Sequence, residues 1–129
     1  MNQAHALIID DQPNNVRVLA EMLSDQGLSS TSLLDPKQLD ATMQNMRRVD
    51  VVFLDMEFSG MDGYEIFKRL KDYPLLQNVP VVAYTVHVSE MPNIQQFGYH
   101  SFLSKPLDSD KFPGQLSRIL EGQPVWDRF

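Results

Sequence analysis

Acidic, hydroxyl and amino side chains recur in this chain directly after short apolar runs. Asp10 and Asp11 follow residues 6–9, Asp55 follows 51–54, Thr85 follows 79–84, and Lys105 with Pro106 closes the run at 101–103. Each is ordinary by itself. An Asp pair after a strand makes a turn or caps a helix, a threonine suits a strand, and Lys-Pro punctuates a loop. Their shared position is what matters. If the runs are strands of one parallel sheet, their carboxyl ends form a single rim, where ligands of such sheets bind. Three carboxylates gathered there would repel and raise one another's pKa unless cations compensate. One lysine and one divalent ion bring the sum to zero. With only oxygen donors and no His or Cys among them, the ion is a hard one, Mg²⁺ or Mn²⁺. Magnesium keeps several waters and prefers a phosphate partner, so the set is suited to phosphoryl chemistry.

The elements that must position these groups follow from the apolar spacing. The runs are short, rich in β-branched residues, and the best of them do not alternate with polar residues, as expected of parallel strands covered on both faces. The run at 30–34 is the weakest. Between them, Val16, Leu19, Ala20 and Leu23 fall on one helical face after Pro13, and Gly27 ends that helix. Asp35-Pro36 opens a second helix with Leu39, Met43 and Met46 inward. Ile66, Phe67 and Leu70 line a third. Met91, Ile94 and Phe97 line a fourth, capped by Ser89, short, with Pro92 in its first turn and Gly98 at its end. Phe112, Leu116, Ile119 and Leu120 line a fifth ending at Gly122.

Five βα units predict a doubly wound α/β domain with a five-stranded parallel sheet, helices on both faces and the flavodoxin-like strand order 2-1-3-4-5. The domain spans 1–122, and 123–129 is a short tail whose Trp126 and Phe129 pack on the surface rather than hold a ligand.

Composition removes several function classes. The net charge is −6 and the longest basic groupings are Arg47-Arg48 and Lys68-Arg69-x-Lys71, so direct nucleic-acid binding is disfavoured. The same acidity disfavours anionic membrane surfaces, and no run approaches 18 apolar residues. No cysteine is present, which excludes a disulfide framework or thiolate zinc site and suits a cytoplasmic setting.

Taken in order, LIIDDQPNN, VFLDMEFSGMDGYE, PVVAYT and FLSKP give the chain a specific signature over residues 6–121. It resembles the response-regulator receiver family of two-component signalling. The resemblance implies a phosphoryl group accepted on Asp55 from a histidine kinase or phosphotransfer protein, and a signal passed to a downstream protein effector. Asp10, Asp11 and the backbone carbonyl of Glu57 would then hold Mg²⁺ together with Asp55. Lys105 would pair with the phosphoryl oxygens, Thr85 would be drawn toward them, and Phe102 would be the aromatic switch residue. Met61-Asp62-Gly63 would form the turn into the third helix. Such a domain is no enzyme beyond catalysing its own phosphorylation and dephosphorylation.

Some positions depart from the family's pattern. Ser59 stands where proline is usual and Phe58 where methionine is common. Val86 replaces a small residue beside Thr85 and would crowd the approach to Asp55, with Glu57 and His87 bordering the same path. The segment from Thr85 to Lys105 is about two residues short, which points to a monomer or weak dimer. Two other classes are weighed against the receiver. A phosphorylation-independent docking domain would accommodate Val86 but not the intact acid, hydroxyl and lysine set. A flavin carrier or aspartate-based phosphatase on the same fold lacks its phosphate loop or the rest of its acid pattern.

Overall fold

A computed structural model describes residues 3–57 and 62–127. Phe58, Ser59, Met61 and Phe129, named above, lie outside the described residues. Five parallel strands, β1 (His5–Ile9), β2 (Ser29–Leu33), β3 (Val51–Asp55), β4 (Val81–Thr85) and β5 (Ser101–Ser104), form one sheet in the order β2-β1-β3-β4-β5. Five α-helices connect or follow them: α1 (Pro13–Asp25), α2 (Leu39–Gln44), α3 (Gly63–Leu70), α4 (Met91–Phe97) and α5 (Phe112–Leu120).

The non-alternating runs are explained by two cores, one on each face. Leu7, Val52, Leu54, Ala83 and Phe102 point toward α2, α3 and α4, where Leu39, Ile66, Phe67, Leu70 and Ile94 meet them. Ala6, Ile8, Phe53, Val82 and Leu103 point the other way, toward Leu19 and Leu23 of α1 and Leu116 and Ile119 of α5. Every residue of β3 and β4 is buried. This double coverage fixes the rim, because strands held from both sides can end only where polar side chains leave the core.

Local signals act as expected at most boundaries. Gly27, Gly98 and Gly122 have positive φ after their helices, the left-handed conformation that glycine adopts without a Cβ penalty. Asp62 accepts from the Tyr64 N–H at 2.8 Å and caps α3. A Cβ on the next residue, Gly63, would lie 3.1 Å from the Met56 Cα, which ties that turn to glycine. One detail differs from expectation. Ser89 does not cap α4; it lies inside a 3-10 turn, Val88–Glu90, that runs into the helix with no side-chain cap. The weak second strand is held at its start by His5, whose ring nitrogens meet the Ser29 and Thr31 hydroxyls, each at 2.6 Å.

The tail is not loose. Val125 is buried, and Phe102 of β5 forms a parallel bridge with Trp126. The Phe102 N–H donates to the Val125 carbonyl at 2.8 Å, and the Asp127 N–H donates back to the Phe102 carbonyl at 2.9 Å. The outer edge of β5 is thus paired with the chain's own end. Among the described residues no helix is long and apolar enough to cross a membrane.

Candidate functional site

The site assembles where the strands end. Asp10 stands directly after β1, Asp55 is the last residue of β3, Thr85 the last of β4, and Lys105 follows β5. Asp10, Asp55 and Thr85 are at most 1% exposed, and Asp11 is half-buried. Carboxylate oxygens of Asp10, Asp11 and Asp55 all lie within 4.8 Å of one another. That spacing suits three ligands of one small cation, and an all-oxygen donor set fits magnesium or manganese rather than zinc.

Lys105 supplies the protein's own counter-charge. Its Nζ is 3.0 Å from Asp55 Oδ1 and 3.6 Å from Asp10 Oδ2, with the side chain only 13% exposed. Burial pushes the Asp55 carboxyl up to about 6; Lys105 opposes that rise and the Asp10 charge adds to it. The Glu57 N–H donates to Asp55 Oδ1 at 3.1 Å, and the Gln12 N–H donates to Asp10 Oδ1 at 2.9 Å. Each aspartate therefore keeps one oxygen fixed by backbone.

Two groups at the site were not picked out by sequence reasoning for what they do. Tyr84, read only as part of an apolar run, donates its hydroxyl to Asp10 Oδ2 at 2.6 Å. Its ring also lies under the Lys105 ammonium, 4.5 Å from the centroid. Burial and the Asp10 contact push its phenol far above the ordinary range, so it stays a donor. The signal was its place immediately before Thr85, on the strand's other face.

The second is the Glu57 side chain, weighed as a second acid and for bordering the path, with its carbonyl as a metal ligand, but not as a partner of Thr85. Its Oε1 accepts from the Thr85 hydroxyl at 2.9 Å and from the Val86 N–H at 3.4 Å, and its Oε2 lies 3.3 Å from His87 Nε2. Burial works to raise the Glu57 carboxyl, but the Thr85 and Val86 donors and the nearby His87 hold it below the ordinary value. The Thr85 hydroxyl, which also accepts from the His87 N–H at 3.1 Å, is thus committed to Glu57 in this structure.

Val86 is 53% exposed and sits on the rim of a cavity of about 590 Å³ whose lining includes Asp55, Glu57, Tyr84 and Lys105. His87 is more exposed still at its side chain, 61%. Phe102 is wholly buried on the α4 face, with Trp126 packed against the same cluster.

The comparisons agree with this fold. Residues 6–116 match the family model for the response regulator receiver domain. The chain is 33% identical over 108 residues to the response regulator PleD of Caulobacter vibrioides, covering 81% of this chain and 23% of that protein. It therefore spans about a quarter of the length of such curated relatives. Its fold is similar to that of chemotaxis protein CheY4 from Vibrio cholerae, at TM-score 0.80 and 22% identity over 92% of this chain and 99% of that one. It is similar also to the receiver domain of the sensor histidine kinase PA1611 from Pseudomonas aeruginosa, a structure with a magnesium ion in its active-site cleft, at TM-score 0.79 and 24% identity over 93% and 99%.

Proposed function

The chain belongs to the response regulator receiver domain family, and on that premise we propose that Asp55 is the phospho-acceptor of a two-component or phosphorelay pathway. One observation carries the reading: a buried Asp55 with Lys105 at 3.0 Å, inside a triangle of carboxylates that span at most 4.8 Å. In the proposed step an Asp55 oxygen forms a bond to phosphorus as the phosphorus–nitrogen bond of a donor phosphohistidine breaks. Phosphoryl transfer of this kind needs positioning and charge neutralisation more than covalent help.

The chain's residues divide that work. Asp10, Asp11, Asp55 and the Glu57 carbonyl would hold Mg²⁺ or Mn²⁺, which when bound supplies positive charge to the phosphoryl oxygens. Lys105 gives up part of its pairing with Asp55 and turns its ammonium to a transferred oxygen. Thr85 exchanges Glu57 for another such oxygen. Tyr84 keeps Asp10 oriented throughout. Phosphorylation replaces one negative charge by nearly two, and the altered contacts of Thr85 and Lys105 carry the change to β4 and β5. The chain acts on no further substrate. Its donor is a histidine kinase or phosphotransfer protein, its target a protein effector, and its setting the cytoplasm.

Incubation with acetyl phosphate and Mg²⁺ is expected to add the mass of one phosphoryl group, and chelator or Asp55→Asn to prevent it. Labelling at another residue would refute the assignment; no labelling by any donor would favour the docking domain.

Val86 gives a kinetic prediction. An in-line donor or water must approach phosphorus opposite the Asp55 oxygen. Valine places two more methyl groups than alanine on the rim beside Glu57, and β-branching limits how they can swing aside. Val86→Ala is expected to speed both gain and loss of the phosphoryl group about tenfold, equivalent to about 1.4 kcal/mol in the barrier. Timed mass spectrometry measures both rates, and equal rates in the two chains would show the rim wide enough already.

A further inference from the structure

We propose that Tyr84 is a positioning residue for Lys105: its hydroxyl meets Asp10 and its ring carries the ammonium, so that the lysine is assigned to Asp55, the carboxylate that reacts. The inference rests on the phospho-acceptor reading of Asp55 and adds to it what keeps the lysine at the reacting oxygen.

Two buried carboxylates compete for that ammonium. The Nζ lies 3.0 Å from Asp55 Oδ1 and 3.6 Å from Asp10 Oδ2. The first distance is that of a hydrogen bond, and the second lies beyond the usual range of one. Burial does not explain the preference, because Asp10 is 0% and Asp55 1% exposed. Nor does the backbone, since the Gln12 N–H donates to one oxygen of Asp10 as the Glu57 N–H does to one of Asp55. The difference is the Tyr84 hydroxyl. It donates at 2.6 Å to Asp10 Oδ2, the same oxygen that faces the lysine. Both Asp10 oxygens are thereby met without an ammonium. If the hydroxyl were removed, Lys105 would be the remaining donor beside Asp10 Oδ2 among the described residues, while Asp55 Oδ1 would keep its backbone N–H. A buried oxygen left unmet is costly, so the lysine would move to Asp10.

The fold leaves the phenol little freedom. Tyr84 pairs with Asp55 across β3 and β4, which sets it beside the reacting carboxylate, and it is buried. Its ring meets Phe53 edge-on with centroids 6.4 Å apart, and Phe53 lies against Phe112 of α5. Lysine, by contrast, is a point charge on a flexible stem. The Lys105 backbone is anchored where its N–H donates to the Thr85 carbonyl at 3.0 Å, and its ammonium lies 4.5 Å from the Tyr84 centroid. A ring face attracts a cation at this range, so the ammonium can pass from the Asp55 oxygen to a transferred oxygen without leaving the ring. A leucine at position 84 would fill the same core and supply neither contact.

Tyr84→Phe tests this by removing the hydroxyl and keeping the ring. In the metal-free unaltered chain, NMR cross-relaxation from the Lys105 ε-methylene protons is expected to be stronger to the Asp55 β protons than to those of Asp10. In Tyr84→Phe that preference is expected to invert, while the ring-current shift of the ε-methylene protons stays. At saturating Mg²⁺, labelling by acetyl phosphate is expected to slow about tenfold in Tyr84→Phe. The same change made in Lys105→Met is expected to slow it less than about twofold further, the non-additivity of groups that act through one another. Equal slowing in both backgrounds would show that the hydroxyl acts through Asp10 and the metal alone, and would overturn the proposal. An unchanged preference or an unchanged rate in Tyr84→Phe would do the same. So would an unaltered chain whose lysine favours neither aspartate, a result that needs no variant to fold. Failure of the unaltered chain to be labelled by any donor would instead overturn the phospho-acceptor reading. The cross-relaxation, measured without donor or metal, decides the placement of the lysine in either case.

Discussion

At pH 7.5 and without divalent metal, Asp55→Asn is expected to be more stable than the unaltered chain by about 3 kcal/mol. The native carboxyl holds its proton up to about pH 6, whereas an unfolded aspartate releases it near 3.8. Between those values the native state binds more protons than the unfolded one, so stability falls as pH rises through the window and levels above it. At about 1.4 kcal/mol per pH unit, a window of roughly two units gives the magnitude. Asparagine keeps the shape and removes the titration. The gap between the two chains should therefore be small below about pH 4, open between 4 and 6, and stay constant above. Magnesium should narrow it by stabilising the unaltered chain. Urea unfolding of both chains across this range measures the gap; one independent of pH would trace the gain to packing instead of charge.

Lys105→Met is expected to slow phosphorylation by acetyl phosphate about 100-fold, the scale of losing one fixed donor to developing charge. The lysine is no metal ligand, so Mg²⁺ affinity should not fall with it, and that separates its role from those of Asp10 and Asp11. The same substitution leaves buried carboxylates without their ammonium, which costs about 3 kcal/mol when one partner of a buried pair is removed. Asp55→Asn in the Lys105→Met background should return most of that loss, a non-additivity expected of groups in contact. A normal rate in Lys105→Met would remove the lysine from the transfer step.

The sheet order and the rim were legible because burial on both faces leaves a plain mark: β3 and β4 are apolar at every position until their polar last residue. Asp10, Asp55 and Thr85 stood out for the same reason, as the first polar side chains after such runs, with Asp11 and Lys105 one residue further on. Tyr84 did not, because a phenol ending an apolar run has the pattern of a core residue, and only the folded chain shows its hydroxyl meeting Asp10. The Glu57 contact with Thr85 joins residues 28 apart in sequence, beyond any local spacing rule. The tail escaped for a different reason. Pro124, Val125, Trp126 and Asp127 form too short a stretch to show a period, and their pairing is decided by the free edge of β5. Ser89 was a sound cap residue overridden by the 3-10 turn that carries the chain into α4.

The sheet order has a consequence for synthesis of the chain. β1 is the first of these five strands to be made, yet one of its two neighbours is β3, and their paired residues, such as Ala6 and Val51, are 45 positions apart. A ribosome adding roughly 5–20 residues per second needs about 2–9 s to cover that distance. During that interval the apolar β1 has β2, a serine- and threonine-rich strand, as its only sheet neighbour. Its other side, which becomes the middle of the finished sheet, waits for β3 to leave the exit tunnel, so the nascent chain presents an apolar strand before it can be shielded.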